Sequence, residues 1–106
     1  MGIIMKPSND REAISLILSG LVSKGHSING VIDDTWNKED VTHTSDVDEA
    51  TALVTGVDEA FVLMTDKEGK TGYIYFVLGN SPEEVACDYT VNLDPDLSSI
   101  VDPWWE

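Results

Sequence analysis

Twenty Asp and Glu, two His and one Cys are the side chains of this 106-residue chain from which chemistry could be built. Clustered carboxylates offer the oxygen ligands that hard cations prefer, and the tightest groups are Asp46 with Asp48, Asp94 with Asp96, and Asp66 with Glu68. A calcium loop needs Gly at its sixth position and Glu at its twelfth; counting from Asp46 reaches Thr51 and Val57, and from Asp94 reaches Ser99 and Trp105. Helix caps and a hairpin turn account for the pairs, and no metal is expected. His26 and His43 lie in segments of different type with no Cys at zinc-ligand spacing. His26 follows Gly25 at a helix stop, where a cation is favourable near the helix C-terminus, so its expected role is structural. Cys87 with His43 and an Asp could form a nucleophilic site, because such groups need only meet in space. Cys87 stands beside Val85 and Ala86 in an expected helix, however, where a small buried thiol is the ordinary case. Gly79, Asn80 and Ser81 resemble a strand-to-helix nucleophile turn, but Glu83 occupies a position that requires a small residue. Glu83 and Glu84 would also repel a phosphate from that turn. The reading is therefore a protein that is not an enzyme, with no cofactor and no catalytic residue.

What remains is charge. Six Lys and Arg against twenty acids give a formal net charge of -14, far beyond the magnitude of roughly 2 to 8 that keeps a small domain soluble. Such a chain repels phosphate backbones and anionic lipids, so neither direct nucleic-acid binding nor membrane binding is expected, and basic protein surfaces become the expected partners. The charge is segregated: residues 1 to 25 carry net +1, 26 to 59 net -8, 60 to 80 zero, and 81 to 106 net -7. Halophilic solvation would spread acids evenly, whereas segregation favours an interface. The candidate partner-binding residues are Asp33, Asp34, Trp36, Glu39, Asp40, Asp46, Asp48, Glu49, Asp58 and Glu59. Carboxylates three or four positions apart on a helix lie about 5 to 6 Å apart at Cβ, so Asp46, Glu49 and Asp40 could form a row that a phosphate-binding groove accepts. Trp36 would supply an apolar anchor among them.

The elements that must position these residues follow from periodicity. The length fits one domain, residues 1–106, of α+β class. Asn9 and Glu12 cap a helix over 9–24 with Ile14, Ile17, Leu18 and Leu21 on one face. Ile28–Ile32 reads as a short strand. Ser45 with Asp48 starts a shorter helix over Val47, Ala50, Leu53 and Val54. Ala60–Thr65 and Gly72–Gly79 read as strands joined by a turn at Asp66–Lys70. Ser81, Pro82 and Glu84 predict a helix over 82–92 burying Val85, Ala86 and Tyr89. Asp94 and Pro95 start a last turn over Leu97, Ile100 and Val101. The expected architecture is a small, mostly antiparallel, three-stranded sheet packed by two to three helices. Its expected core is Ile14, Leu18, Leu21, Ile32, Leu63, Ile74, Phe76, Val85 and Tyr89. Val47, Asp48, Glu49, Ala50, Leu53 and Thr55 recur ten positions later as Val57, Asp58, Glu59, Ala60, Leu63 and Thr65, a period too short for a repeat architecture.

Trp104 and Trp105 either lie over the sheet as a lid or form a binding patch, through which a homodimer could assemble. One Cys excludes an internal disulfide, no stretch approaches the roughly 18 apolar residues of a bilayer span, and the apolar run before Lys6 is short for a secretory signal. A cytoplasmic location is the expectation.

The segment from Tyr73 to Asn92, with Leu78, Gly79, Asn80, Ser81, Pro82, Glu83, Glu84 and Val85 followed by Asp88, Tyr89 and Thr90, together with length and acidity, resembles small acidic proteins of bacteriophages and other mobile elements. That resemblance implies an anti-defence inhibitor, anti-CRISPR or anti-restriction, some of which imitate DNA with rows of carboxylates before a nucleic-acid-binding target. It carries over no functional residue. Two other functions stay open at this point: a structural or assembly protein of the encoding element, and a small enzyme using carboxylates such as Asp33 and Asp34.

Overall fold

A computed structural model describes residues 6–33 and 41–105. Asp34, Trp36, Glu39 and Asp40 of the candidate interface lie outside the described residues.

The first helix, α1 (Asp10–Ser23), begins where Asn9 accepts the Glu12 amide at 2.8 Å. Glu12 does not close the reciprocal bond to the Asn9 amide; its carboxylate accepts from the Ser8 amide one residue further out, at 3.1 Å. Ile14, Ile17, Leu18 and Leu21 are fully buried, each contributing roughly 1.5–3 kcal/mol by leaving water. Lys24 closes the helix, and Gly25 then turns the chain at φ 103°, a conformation open to glycine without strain.

β1 (Ser27–Asp33) pairs antiparallel with both β2 (Thr42–His43) and β3 (Glu59–Thr65). A register shift between Ile28 and Gly30 inserts Asn29, so Ile28 and Val31 both reach the helical side while Ile32 points away from it. α2 (Val47–Thr55) is capped by Asp46, whose carboxylate accepts the Glu49 amide at 2.9 Å. The cap is therefore one residue later than the expected Ser45. β3 returns through a turn at Asp66–Lys70 into β4 (Thr71–Val77), with Gly69 at φ 88°.

The expected helix over 82–92 is not formed. Pro82–Glu84 makes a single 3₁₀ turn without a side-chain cap bond, and β5 (Ala86–Tyr89) follows. The Val77 amide donates to the Val85 carbonyl at 2.9 Å and the Thr90 amide to the Tyr73 carbonyl at 3.1 Å. Ser-Pro-Glu-Glu specifies a first turn, but Val85 to Thr90 is rich in β-branched and aromatic residues, and the edge of β4 satisfies its backbone. Among the described residues the sheet thus has five antiparallel strands rather than three, in the order β2-β1-β3-β4-β5.

α1, α2 and the last helix, α3 (Asp96–Val101), lie on one face of the sheet, and the core fills the space between. In β3 the two-residue period places Ala60, Val62 and Met64 in that core. It sends Phe61 and Leu63 to the other face, so Leu63 is only half-buried, contrary to expectation. Tyr89 is likewise half-buried, because on a strand it spans to α3 and does not enter the core. On the outer face Phe61 stacks on Tyr75 with ring centres 4.5 Å apart and meets Tyr73 edge-on at 5.6 Å. The ten-residue recurrence falls on α2 and on the approach to and body of β3, so one pattern serves two element types: neighbours, not local sequence, decide between them. After α3 a final turn, Asp102–Trp105, buries Trp104 to 4% exposure and leaves Trp105 59% exposed. The two indoles therefore divide the roles of lid and surface aromatic.

Candidate functional site

The described members of the acidic stretch fall into two groups at opposite ends of α2. Asp46, Asp48 and Glu49 are exposed on its first turn, where negative charge complements the helix dipole. Asp46 is committed to the cap. At the other end, Asp58 is exposed before β3, and Asp33 and Glu59 sit half-buried on adjacent strands, Asp33 opposite Ala60. The rest of α2, from Ala50 to Thr55, lies between the groups. Glu59 accepts the Tyr75 hydroxyl at 2.8 Å on the outer face of the sheet. Among the described residues the Lys67–Asp96 ion pair and the His26–Asp96 contact both fall on Asp96; Asp46, Asp48, Glu49, Asp58 and Glu59 belong to neither. Asp40, expected to continue the row, lies outside the described residues, and Asp46 to Glu49 and Asp58 to Glu59 form two patches.

A second acidic feature was missed. Between β5 and the C-terminal helix runs a groove of about 560 Å³, with Cys87 and Tyr89 on one wall and Leu97, Val101 and Trp105 on the other. Glu83, Glu84 and Asp102 line it and no base does. The charge of residues 81 to 106, net -7, was the signal for it; the expected helix over 82–92 concealed the edge strand. Cys87 is exposed on β5, not buried in a helix. It is also far from His43. Among the described residues β2 and β5 are the two edges of the sheet, about 19 Å apart at some 4.8 Å per strand, so a Cys87–His43 nucleophilic site is not assembled.

The carboxylates with displaced acidities serve the fold. Asp66 accepts the Lys70 and Glu68 amides, both at 2.8 Å, and the Asn92 side chain at 3.1 Å. Those bonds, the Lys70 amide first, hold its carboxyl below the ordinary value of 3.8 against the opposing effect of desolvation. Asp96 is lowered chiefly by the hydrogen bond from His26, then by Lys67. His26 is buried, with Nε2 2.8 Å from Asp96. An ionised carboxylate only accepts, so Nε2 carries the proton; Nδ1 has no hydrogen-bond partner among the described residues. The geometry gives His26 a structural role on both sides: its imidazole meets Asp96, and its backbone amide donates to the Leu21 carbonyl at the end of α1 at 3.1 Å. Asp88 beside Tyr73 raises that phenol above 10.0.

An apolar cleft of about 410 Å³ lies on the outer side of the sheet between Ile32, Val41, Leu63 and Tyr73, and none of the described residues in its wall is a carboxylate. Among the described residues no three His, Cys, Asp or Glu stand together as metal ligands, and no helix is long and apolar enough to cross a membrane. No family model, curated protein or solved structure matches the chain.

Proposed function

We propose that the protein is a non-enzymatic acidic binding protein that occupies a basic, nucleic-acid-binding surface of another protein, as phage anti-defence inhibitors and DNA mimics do. The observation that carries this reading is the un-neutralised carboxylate set at the two ends of α2. Asp46, Asp48, Glu49, Asp58 and Glu59 have no ion-pair partner among the described residues, and their negative potential is open to a basic partner. The enzyme alternative rests on Asp33 and Asp34, of which Asp34 lies outside the described residues. Assembly through a tryptophan pair has only Trp105 at the surface.

The test is capture from a bacterial lysate at low and moderate salt, followed by competition with duplex DNA. Captured proteins should be basic, released by duplex DNA and by salt, and recovered poorly by D48K/E49K/D58K, which leaves the Asp46 cap intact. Partners that are not basic, or that stay bound with DNA present, overturn the mimic mechanism.

A further inference from the structure

The groove beside β5 has the form of a strand-accepting site. Among the described residues β5 pairs with β4 alone, so its far side presents backbone groups along the groove. No Lys or Pro stands in β5 to discourage pairing. Four features blunt the strand in part: its length of four residues, the exposed Asp88 within it, a register irregularity that skips Cys87, and the Tyr89 amide, which bonds the Asp88 carboxylate at 2.9 Å. Cys87, exposed and skipped by the β4 register, is the position left for pairing. Across the groove, Val101 and the exposed indole of Trp105 offer an apolar wall, and Glu83, Glu84 and Asp102 supply negative charge with no base to offset it. A Lys or Arg side chain matches both features at once: its stem covers apolar surface, its head reaches a carboxylate, and a guanidinium stacks on an indole. Acidic segments meet repulsion in the same place.

We infer that this groove binds an extended, Lys- or Arg-bearing segment of a partner protein by adding it as a further strand beside β5, with a basic side chain on Trp105. Main-chain bonds to β5 supply affinity and the acidic rim supplies selectivity. The inference uses no residue between 33 and 59 and so stands or falls apart from the acidic patches of α2.

A blocked hexapeptide of alternating valine and arginine, titrated into the full ¹⁵N-labelled chain, tests it. Saturable shifts should centre on the amides of residues 86–89, and the peptide should slow alkylation of the Cys87 thiol. Replacing arginine by glutamate should abolish binding, as should N-methylation of alternate peptide amides. Trp105→Ala should weaken binding about tenfold, in the range of interface aromatics, and E83K/E84K/D102K should eliminate it. D48K/E49K should change affinity by less than about twofold, as expected of a distant charge. Absence of saturable shifts overturns the inference, as do shifts centred outside the groove. Equal binding of the glutamate peptide overturns its charge basis, and retained binding of the N-methylated peptide overturns strand addition. Loss of binding in D48K/E49K alone would transfer the arginine peptide to the α2 patches, overturning this inference while leaving the proposed function standing.

Discussion

Asp66 and Asp96 hold together parts of the chain that are remote in sequence, and each does so as an anion. Asp66 joins the β3–β4 turn to Asn92, and Asp96 joins α3 to His26 and Lys67. Both carboxyls are lowered in the folded state relative to 3.8. Their contribution to stability is therefore fully present above that ordinary value and is lost as pH falls through the folded ones. Protonation also relieves the repulsion of a -14 chain, so the acid response of the parent alone mixes two effects. The difference between parent and variant separates them. Asp66→Asn should lower the thermal midpoint at neutral pH, and the gap should close toward about pH 2 as the parent carboxylate takes up its proton. Thermal unfolding followed by circular dichroism checks this; a gap that is the same at both pH values would show that the charge of Asp66 is not its source.

At the scale of elements, the attachment of β2 depends on a residue that has no side chain. A Cβ on Gly30 would lie 2.7 Å from Val41 Cγ1 and 2.8 Å from the Thr42 carbonyl oxygen. The valine methyl can move, but the carbonyl belongs to the backbone of β2, which is paired to β1 at Gly30 and Val31. Gly30→Ala should therefore destabilise the fold by about 1–3 kcal/mol, the usual range for overpacking. The amide of Thr44, bonded to the Asn29 carbonyl at 3.3 Å, should lose protection first. Denaturant unfolding and amide exchange measure both, and a variant as stable as the parent with Thr44 equally protected would show that β2 can shift without cost.

Across the whole molecule the dominant quantity is charge. The chain carries -14, and like charges on a compact body oppose folding while they keep copies apart. Raising ionic strength from about 0.01 to 0.15 M shortens the screening length from about 30 to 8 Å. The thermal midpoint should rise over that interval, because self-repulsion is screened more than the short bonds of Asp66 and Asp96. Differential scanning calorimetry across the salt series checks this. A midpoint that falls with salt would mean that attractive pairs outweigh the repulsion. Binding of a basic partner should respond in the opposite direction, weakening over the same interval.

The local signals with strong periodicity were decided by sequence alone. Asn9 with the i, i+3, i+4, i+7 pattern of Ile14 to Leu21, the turn with Gly69, and the alternation of Tyr73 to Val77 each depend on residues within one element, and each stands where the spacing placed it. The α+β class followed from them. Residues 82 to 92 were not legible in this way. Their capping signal and their strand-forming composition conflict, and the open edge of β4, which is not a local property, resolves the conflict in favour of β5. The face on which Leu63 lies was set by the pairing of Val62 with Val31 and Ile74, contacts across the sheet. The split of Trp104 from Trp105 and the division of the acidic stretch by the length of α2 arise in the same way. Charge and periodicity are properties of neighbours along the chain, whereas strand edges, grooves and the separation of carboxylates exist only once distant segments have packed.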